Sequence, residues 1–301
     1  MEQEQAKRLL LRSVQHGNGF FWMDWTLNLY RGCNHGCIYC DSRSECYHIE
    51  RFGEVRAKKN ALLLLGCELC SKQKAGVVFM GAASDPYNVQ EEHLCITKGA
   101  LELLLRYGFG IGMSTKSALI ARDASLLGRF KGKAPAMAAF SITTADDALA
   151  ARLEPGASPP SDRFEAMRAL AGEGVFTGTW LNPVLPYITD TQENIRRIVD
   201  QTYQNGGRFV ICHFGMTLRT GSREYFYQAL DRDPLFYGIK QKYASVFGLD
   251  YLCPSPQAAA LQAVLKEACE KKGLYWRFQQ VNAGQRAQCP AQTTLLDLQQ
   301  P

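Results

Sequence analysis

Three cysteines lie close together near the start of the chain, at Cys33, Cys37 and Cys40, with three and then two residues between them. Cysteine thiolates hold iron–sulfur clusters, and a cubane cluster normally takes four of them. A run of three therefore leaves one iron without a protein ligand. If a small molecule completes that iron, the spacing predicts a catalytic cluster rather than an electron carrier.

A structural zinc site is the alternative that the cysteines leave open. Two Cys-x2-Cys pairs occur in the chain, which are Cys37 with Cys40 and Cys67 with Cys70. Such pairs are typical of zinc modules. However, 26 residues separate the pairs, and Cys33 is left over. The second pair also shares a face with Leu63 on a predicted helix over 55–74, where cysteine usually packs as a small core residue. The zinc hypothesis predicts a non-catalytic α/β nucleic-acid-binding module.

The composition restricts the class of protein. The chain has 301 residues, eleven cysteines and a formal net charge of +5. Its charged N-terminal segment lacks an apolar stretch with a cleavage site, so we expect a cytoplasmic protein whose thiols are not a disulfide framework. No apolar run approaches the ~18–20 residues of a membrane span, and no membrane association is expected. The mild positive charge permits a nucleic-acid partner without requiring one.

Strand and helix patterns alternate in about six units across residues 25–215. The predicted strands are 20–30, 76–81, 111–115, 136–143, 175–181 and 209–214. The predicted helices between them are 55–74, a stretch ending near 106, 119–130 and 191–204. This alternation predicts a parallel sheet, either open or curled into a barrel. We expect residues 1–24 to be a polar lead-in and residues 216–301 to be a helical C-terminal extension packed on the barrel, with a loose last dozen residues.

Active sites of such sheets lie at the carboxyl ends of the strands, and the cysteine loop follows the first strand. Four segments in this position resemble the radical S-adenosylmethionine (radical SAM) superfamily, and within it the spore photoproduct lyase-like branch, also called DNA repair photolyase-like. The segments are Tyr30–Cys40, which places the aromatic Tyr39 before the last cysteine, then Ser84–Tyr87, Thr115–Ser117 and Ser141–Thr144. The resemblance extends from about residue 20 to 250.

The resemblance implies a fold and a chemistry. The fold is α/β, a partial (β/α)6 TIM-type barrel of the radical SAM type with a mostly helical C-terminal extension. Cys33, Cys37 and Cys40 would bind a [4Fe-4S] cluster, and S-adenosyl-L-methionine (SAM) would chelate its unique iron. An external one-electron reductant of the flavodoxin or ferredoxin type would then drive cleavage of SAM to a 5′-deoxyadenosyl radical, which abstracts hydrogen from an unidentified substrate. The enzyme would be lyase-like or an oxidoreductase.

The same resemblance assigns five residues to SAM, which are Tyr39, Ser84, Asp85, Lys116 and Ser141. Ser84 and Asp85 would hold the methionyl amino group, which suits a hydroxyl and a carboxylate; a simple Ser-Asp-Pro turn also explains them. Lys116 would meet the methionyl carboxylate or a ribose hydroxyl, and Ser141 the methionine or ribose. Tyr39 would pack beside the cluster and present its backbone to the adenine.

Four other residues have weaker interpretations. Glu154 and Arg196 are explained as well by helix-surface charge as by function. His35 is expected to shape the cysteine loop rather than to complete the cluster, because a fully ligated cluster would leave no open iron. Asn182 is expected to shape the far wall of the pocket.

Ala83 departs from the pattern of true spore photoproduct lyases, which carry a hydrogen-donating cysteine at this place. Cys95, Cys212 and Cys253 remain as other donors, with Cys212 the best placed, although packing alone also explains each of them. A repair lyase using one of these thiols is therefore a further hypothesis, and it predicts thymine recovery from spore-photoproduct DNA. Kinship is the reason to consider a nucleic-acid substrate, since the sequence has no concentrated basic stripe.

Overall fold

The fold is organised around strands whose residues are buried along their whole length. The computed structural model describes residues 3–13 and 20–288. The segments Val77–Met80, Gly110–Thr115 and Ala136–Ser141 are buried at every position. Continuous burial of this kind requires cover on both faces, which is the condition of a parallel sheet flanked by helices.

The strands are numbered in chain order. They are β1 Gln3–Glu4, β2 Leu10–Arg12, β3 Trp25–Leu27, β4 Tyr30–Arg31, β5 Arg56–Lys58, β6 Val77–Met80, β7 Gly110–Thr115, β8 Ala136–Ser141, β9 Phe176–Leu181, β10 Val210–Cys212, β11 Gly215–Thr217 and β12 Leu252–Pro254.

The α-helices are numbered in the same way. They are α1 Ala61–Cys70, α2 Glu91–Leu94, α3 Ile96–Arg106, α4 Ala124–Gly128, α5 Asp147–Leu153, α6 Pro160–Gly172, α7 Gln192–Gln204, α8 Ser222–Arg232, α9 Ile239–Phe247, α10 Ala258–Lys272 and α11 Phe278–Arg286. Short 3-10 helices cover Asp41–Arg43, Glu45–Tyr47, Ala118–Asp123 and Pro234–Phe236.

Seven strands form the main sheet in the order β10-β9-β8-β7-β6-β3-β2. The neighbours from β3 to β10 are all parallel, and only the edge strand β2 runs antiparallel to β3. Six parallel strands joined by helical connections are the partial (β/α)6 barrel, so the predicted fold class is confirmed. Because the six strands are parallel, their carboxyl ends meet at one edge, and this edge carries the loops described below.

Two layers of core lie on the two faces of the main sheet. Successive residues of a strand point to opposite faces, so Phe79, Met137 and Phe209 join an aromatic inner cluster while Val78 and Ala138 join the outer core under the helices. Helix α10 also contributes to the outer core, through residues that include Leu261 and Leu265. The C-terminal helices therefore share their hydrophobic core with the barrel.

The segment from 275 onward connects the edge of β10 to residues near the start of the chain. The N–H of Val210 donates to the carbonyl of Tyr275 at 2.9 Å. Farther along, Asn282 accepts from the N–H of Trp22 at 2.8 Å and donates to the carbonyl of Phe20 at 2.9 Å. The ring of Phe278 stacks on that of Phe20 with centroids 5.9 Å apart. These contacts close the side of the barrel that lies beyond β10.

Several details differ from the sequence expectations. The aromatic stretch 20–30 is not one strand. Residues 20–22 run along α11, and residues 28–29 interrupt the strand between β3 and β4. The helix predicted over 55–74 is shorter, since 56–58 pair in β5. The buried face of α1 is Ala61, Leu65 and Leu69. The prediction that Leu63, Cys67 and Cys70 form the buried face was wrong, because Leu63 is 71% exposed and both cysteines are exposed as well.

The start of the chain also differs from a polar lead-in. Residues 10–12 form an edge strand of the main sheet, and the backbone N–H groups of Leu9 and Leu10 donate to the carboxylate of Glu68 on α1 at 2.8 and 2.7 Å. The loose last dozen residues lie outside the described part of the chain. No helix within 3–13 and 20–288 is long and apolar enough to cross a membrane.

Candidate functional site

The cysteine loop follows β4 and is held by backbone contacts to two other segments. The N–H of Cys33 donates to the carbonyl of Phe52 at 2.8 Å, and that of Ile38 donates to the carbonyl of Leu153 at 2.9 Å. At Gly32 the backbone has φ of +78°, and a Cβ would lie 2.5 Å from the carbonyl oxygen of Glu54. Only glycine fits this close approach, and it allows the loop to turn sharply before its first cysteine.

All eight residues predicted to form the site line one cavity of about 420 Å³ at the carboxyl ends of the strands. They are Cys33, Cys37, Tyr39, Cys40, Ser84, Asp85, Lys116 and Ser141. Asn182, which was predicted to shape the far wall, lines the same cavity. Four of the loops converge because they follow β6, β7, β8 and β9, which are neighbouring parallel strands of the main sheet. The cysteine loop follows β4, which lies in a separate three-stranded sheet with β1 and β5.

Thiol burial and a nearby cation set the electrostatics of the cavity. Burial raises the pKa of the Cys33 thiol to about 11 and raises the pKa of Cys37 well above its ordinary value. Burial disfavours the ammonium charge of Lys116, but Cys37 and Glu154 outweigh it and raise the pKa of this lysine. Burial thus favours the neutral thiol forms of Cys33 and Cys37, whereas the charge interactions with Cys37 and Glu154 favour the ammonium form of Lys116.

Ser84 and Asp85 tie the loop after β6 to its neighbours. The hydroxyl of Ser84 donates to the carbonyl of Gly32 at 2.5 Å. The carboxylate of Asp85 accepts from the hydroxyl of Thr115 at 2.7 Å and from the N–H of Lys116 at 2.8 Å. These bonds connect the cysteine loop, the loop after β6 and the end of β7 into one unit.

His35 is buried within the same unit. Its Nδ1 lies 3.5 Å from Oδ2 of Asp85. Burial lowers the pKa of the imidazole, although the carboxylate of Asp85 acts in the opposite direction. This position, packed against Asp85, is consistent with the loop-shaping role that we expect for His35.

A buried charged network behind the cysteine loop was missed in the sequence. Glu154 and Arg163 are 2% and 1% exposed, and Nη2 of Arg163 donates to Oε2 of Glu154 at 2.5 Å. The hydroxyl of Tyr39 donates to Oε1 of the same carboxylate, and the hydroxyl of Thr143 donates to it at 3.1 Å. Arg163 also donates to the carbonyl of Ser141 at 2.7 Å. The interpretation of Glu154 as helix-surface charge was therefore wrong.

The second pair of the zinc hypothesis does not reach the cavity. Cys67 and Cys70 are exposed on α1, whereas Cys37 is buried in the cysteine loop. Within the described ranges, no three His, Cys, Asp or Glu side chains converge closely enough to hold a single metal ion. The arrangement required for a four-cysteine zinc site is therefore not present in this part of the chain.

The other thiols proposed as hydrogen donors also lie elsewhere. Of the described cysteines, only the three of the cysteine loop line the cavity. Cys95 lies 3.6 Å from a guanidinium nitrogen of Arg122, Cys212 lines an adjoining cavity, and Cys253 is buried in β12. Ala83 lines the cavity where a lyase would carry its cysteine. The structure thus gives no support to a thiol donor among these residues.

The chain is a parallel partial α/β barrel, and its thiol-lined cavity lies in the βα loops at the carboxyl ends of the strands. The family model of the radical SAM superfamily matches residues 27–202, which is more than half of the chain. The chain belongs to the radical SAM superfamily. Its membership supports an enzyme of this class, and the superfamily implies a [4Fe-4S] cluster and SAM.

Two relatives and one solved structure are similar to this chain. An uncharacterized protein of Mycobacterium tuberculosis is 29% identical over 210 residues, which cover 67% of this chain and 61% of the relative. The radical SAM Nα-GlyT isomerase of Pseudomonas phage M6 is 23% identical over 182 residues, 60% of this chain and 37% of the isomerase. The chain therefore matches less than two thirds of the length of either relative.

The solved structure is a spore photoproduct lyase variant with bound AdoMet and dinucleoside spore photoproduct. It superposes with a TM-score of 0.61 over 84% of this chain and 76% of its own, at 16% identity. At this identity the similarity shows the fold alone, and it agrees with the partial barrel described above.

Proposed function

We propose that this chain is a radical SAM enzyme that cleaves SAM reductively and abstracts hydrogen from a substrate in the cavity of about 420 Å³. The observation that carries the proposal is that Cys33, Cys37 and Cys40 line this cavity together with the polar residues predicted to bind SAM. Bound together, the cluster and SAM supply a 5′-deoxyadenosyl radical, and the protein binds, orients and excludes water.

The donor set fits a cubane cluster with one open iron. Three thiols line the cavity, and thiolates are the ligands that such clusters take. Cys33 and Cys37 must lose their protons on binding, since their pKa values are raised in the metal-free protein. The ammonium group of Lys116 lies close enough to Cys37 to offset part of the resulting negative charge.

Polar groups around the cysteines fit the remaining parts of SAM. The hydroxyl of Ser84 donates a hydrogen bond to the carbonyl of Gly32 and keeps lone pairs that can accept from the methionyl ammonium. Asp85 adds negative charge beside it, although its oxygens already accept from Thr115 and Lys116. Lys116 and Ser141 provide a cation and a hydroxyl for the methionyl carboxylate and the ribose.

Tyr39 contributes through its backbone in this proposal. Its side chain points away into the buried network and is fixed there by Glu154 and Thr143. Fixing the ring between the second and third cysteines also fixes the neighbouring peptide groups. We infer that these peptide groups contact the adenine.

An aromatic wall would protect the radical. Phe20, Trp180 and Phe278 line the cavity, and the rings of Phe20 and Trp180 meet edge to face with centroids 5.5 Å apart. Apolar rings of this kind exclude water from the cavity. An external one-electron reductant of the flavodoxin or ferredoxin type would supply the electron.

Nucleic acid is the substrate class that we propose to test first. The fold neighbour binds a dinucleoside spore photoproduct, and the net charge of +5 is compatible with a polyanion. The position of Ala83 disfavours reversal of that particular lesion, because the cavity wall offers no thiol hydrogen there.

The test is an anaerobic cleavage assay on the wild type and on Cys37→Ala. The wild type should carry about four irons per chain and form 5′-deoxyadenosine from SAM under a strong reductant. Cys37→Ala should lose the cluster absorbance and all cleavage, because a ligand is gone.

Cys46→Ala is the matched control for this assay. Cys46 follows the cysteine loop but is exposed, and its sulfur contacts a guanidinium nitrogen of Arg219 at 3.2 Å. It should keep the iron content and the cleavage rate of the wild type. Full cleavage by Cys37→Ala, or stoichiometric zinc without iron in the anaerobic wild type, would contradict the proposed function.

A further inference from the structure

A second cavity opens beside the first at the end of β10. Its volume is about 590 Å³, and its walls come from β10, α10 and the residues around the start of α11. His213 and Phe278 line both cavities. The two cavities are therefore immediate neighbours, within reach of one extended ligand.

The lining of the second cavity is cationic and polar at one side and apolar at the other. The guanidinium of Arg277 stacks on the ring of Trp276, with its carbon 4.2 Å from the ring centroid. Gln262 and Gln279 add amide groups, and Leu265 belongs to the apolar side. None of the described residues that line this cavity is acidic.

Arg277 is available for an anionic ligand. Its side chain is exposed, and no ion pair between described residues includes it. Stacking on Trp276 holds the plane of the guanidinium while leaving its N–H edges open, which suits two-pronged recognition of a carboxylate or a phosphate. The imidazole of His213 faces the same space and can donate a further hydrogen bond.

We propose that the second cavity binds an anionic group, carboxylate or phosphate, of the substrate whose reacting part occupies the first cavity. The proposal rests on the proposed function, because it concerns the same substrate. It identifies the substrate as an extended molecule with a negative charge beyond His213 and Phe278, rather than a small neutral one.

Isothermal titration calorimetry on the anaerobically prepared full chain with its cluster tests this inference. Three probes share a phenyl ring and differ in charge: phenyl phosphate, benzoate and benzamide. At least one of the two anions should bind saturably, whereas neutral benzamide should not. The relative affinity of phenyl phosphate and benzoate then distinguishes a phosphate-bearing substrate from a carboxylate-bearing one.

Arg277→Gln and Arg286→Gln form a matched pair for the titration. Arg286 is also exposed and also stacks on a tryptophan, with its carbon 4.8 Å from the ring centroid of Trp22, but it does not line the second cavity. Arg277→Gln should weaken anion binding by roughly 10-fold or more, as loss of a charge-assisted pair implies. Arg286→Gln should bind the anions as the wild type does.

The outcomes separate this inference from the proposed function. No saturable binding of either anion, equal binding of benzamide, or equal losses in the two variants would overturn it. SAM cleavage is measured on the same wild-type preparation without added substrate. Cleavage without anion binding overturns the anion subsite alone, and anion binding without cleavage overturns the radical chemistry alone.

Discussion

The hydroxyl of Tyr39, which lies between two cysteines of the loop, donates a hydrogen bond to the buried carboxylate of Glu154. Glu154 accepts from Tyr39, from Thr143 and from Arg163, so a single side chain connects the cysteine loop to the end of β8 and to α6. Buried ion pairs contribute little net stability, but removal of one partner leaves the other charge uncompensated. The geometry of the loop therefore depends on an intact Glu154–Arg163 pair.

Glu154→Gln should destabilise the fold by about 3–5 kcal/mol at neutral pH, because it leaves Arg163 buried without a counter-charge. Urea unfolding of the full chain measures this difference. Glu165→Gln is the control, since Glu165 lies on α6, is 74% exposed and pairs with Arg168 only at the surface. The control should remain within about 1 kcal/mol of the wild type. Equal effects of the two substitutions would contradict a buried-pair role.

The effect of Glu154→Gln should also depend on pH. Burial alone would raise the pKa of Glu154, but Arg163 and Lys116 outweigh it and hold the pKa below its ordinary value of 4.5. A carboxyl group whose pKa is lowered by folding stabilises the native state above its ordinary pKa, and this contribution is lost as the pH falls through the lowered value. The difference between wild type and variant should thus shrink below about pH 4.5.

The cysteine spacing and the family resemblance pointed to eight residues that line one cavity, but not to the network behind it. Ser84 and Lys116 each follow a predicted strand and Ser141 lies near the end of one, and parallel strands bring such residues to one edge whatever their separation in sequence. Glu154 and Arg163 have no such position at the end of a predicted strand, and charged residues in or next to helices are usually solvated. The sequence therefore gives no sign that they are buried. Pro155 and Gly156 directly after Glu154 favour a turn. They do not show that the turn packs against the cysteine loop, where the N–H of Gly156 donates to the carbonyl of His35 at 2.8 Å.

At the level of elements, the parallel strands were predicted within a few residues, whereas elements with mixed apolar patterns were not. In α1 four leucines follow one another, so the sequence does not show which face of the helix is buried. The aromatic run from 20 to 30 has strand composition throughout, yet only tertiary contacts decide that Phe20 packs on Phe278 and Trp180 instead. Composition alone cannot distinguish a strand from a segment that fills the open side of a barrel.

Asn282 is the residue through which α11 holds this segment. Asn282→Ala should destabilise the fold by about 1–3 kcal/mol, because the N–H of Trp22 and the carbonyl of Phe20 lose their partner in a partly buried place. Urea unfolding again gives the measurement. Asn205→Ala removes an exposed amide that bonds within its own helix terminus and should change the stability by less than about 0.5 kcal/mol. Similar small changes in both variants would show that Asn282 does not hold the segment.

At the scale of the whole molecule, the C-terminal helices and the barrel share one core rather than meeting at a separate interface. Leu261, Val264 and Leu265 of α10 pack in the outer core, and Val281 of α11 packs in the aromatic inner cluster. We therefore expect the barrel and the C-terminal helices to unfold together, since neither can lose its contacts alone without exposing the other's core.

Coincident urea transitions by far-ultraviolet circular dichroism and by tryptophan fluorescence would show this cooperativity in the metal-free full chain. Of the four tryptophans, Trp22 and Trp276 lie at the closure by α11 and Trp25 and Trp180 lie in strands of the main sheet, whereas the dichroism reports on all helices. A fluorescence transition at clearly lower urea than the dichroism transition would show that the C-terminal segment detaches first.

The hydrogen bond between Asn282 and Trp22 joins residues 260 positions apart. A ribosome adds roughly 5–20 residues per second, so Trp22 is made some tens of seconds before its partner exists. During translation the nascent barrel is therefore open on the side that Phe278 later covers, and closing a loop of this length comes at the end of folding. We expect the wall of the cavity to be completed only after residues 278–282 have been synthesised.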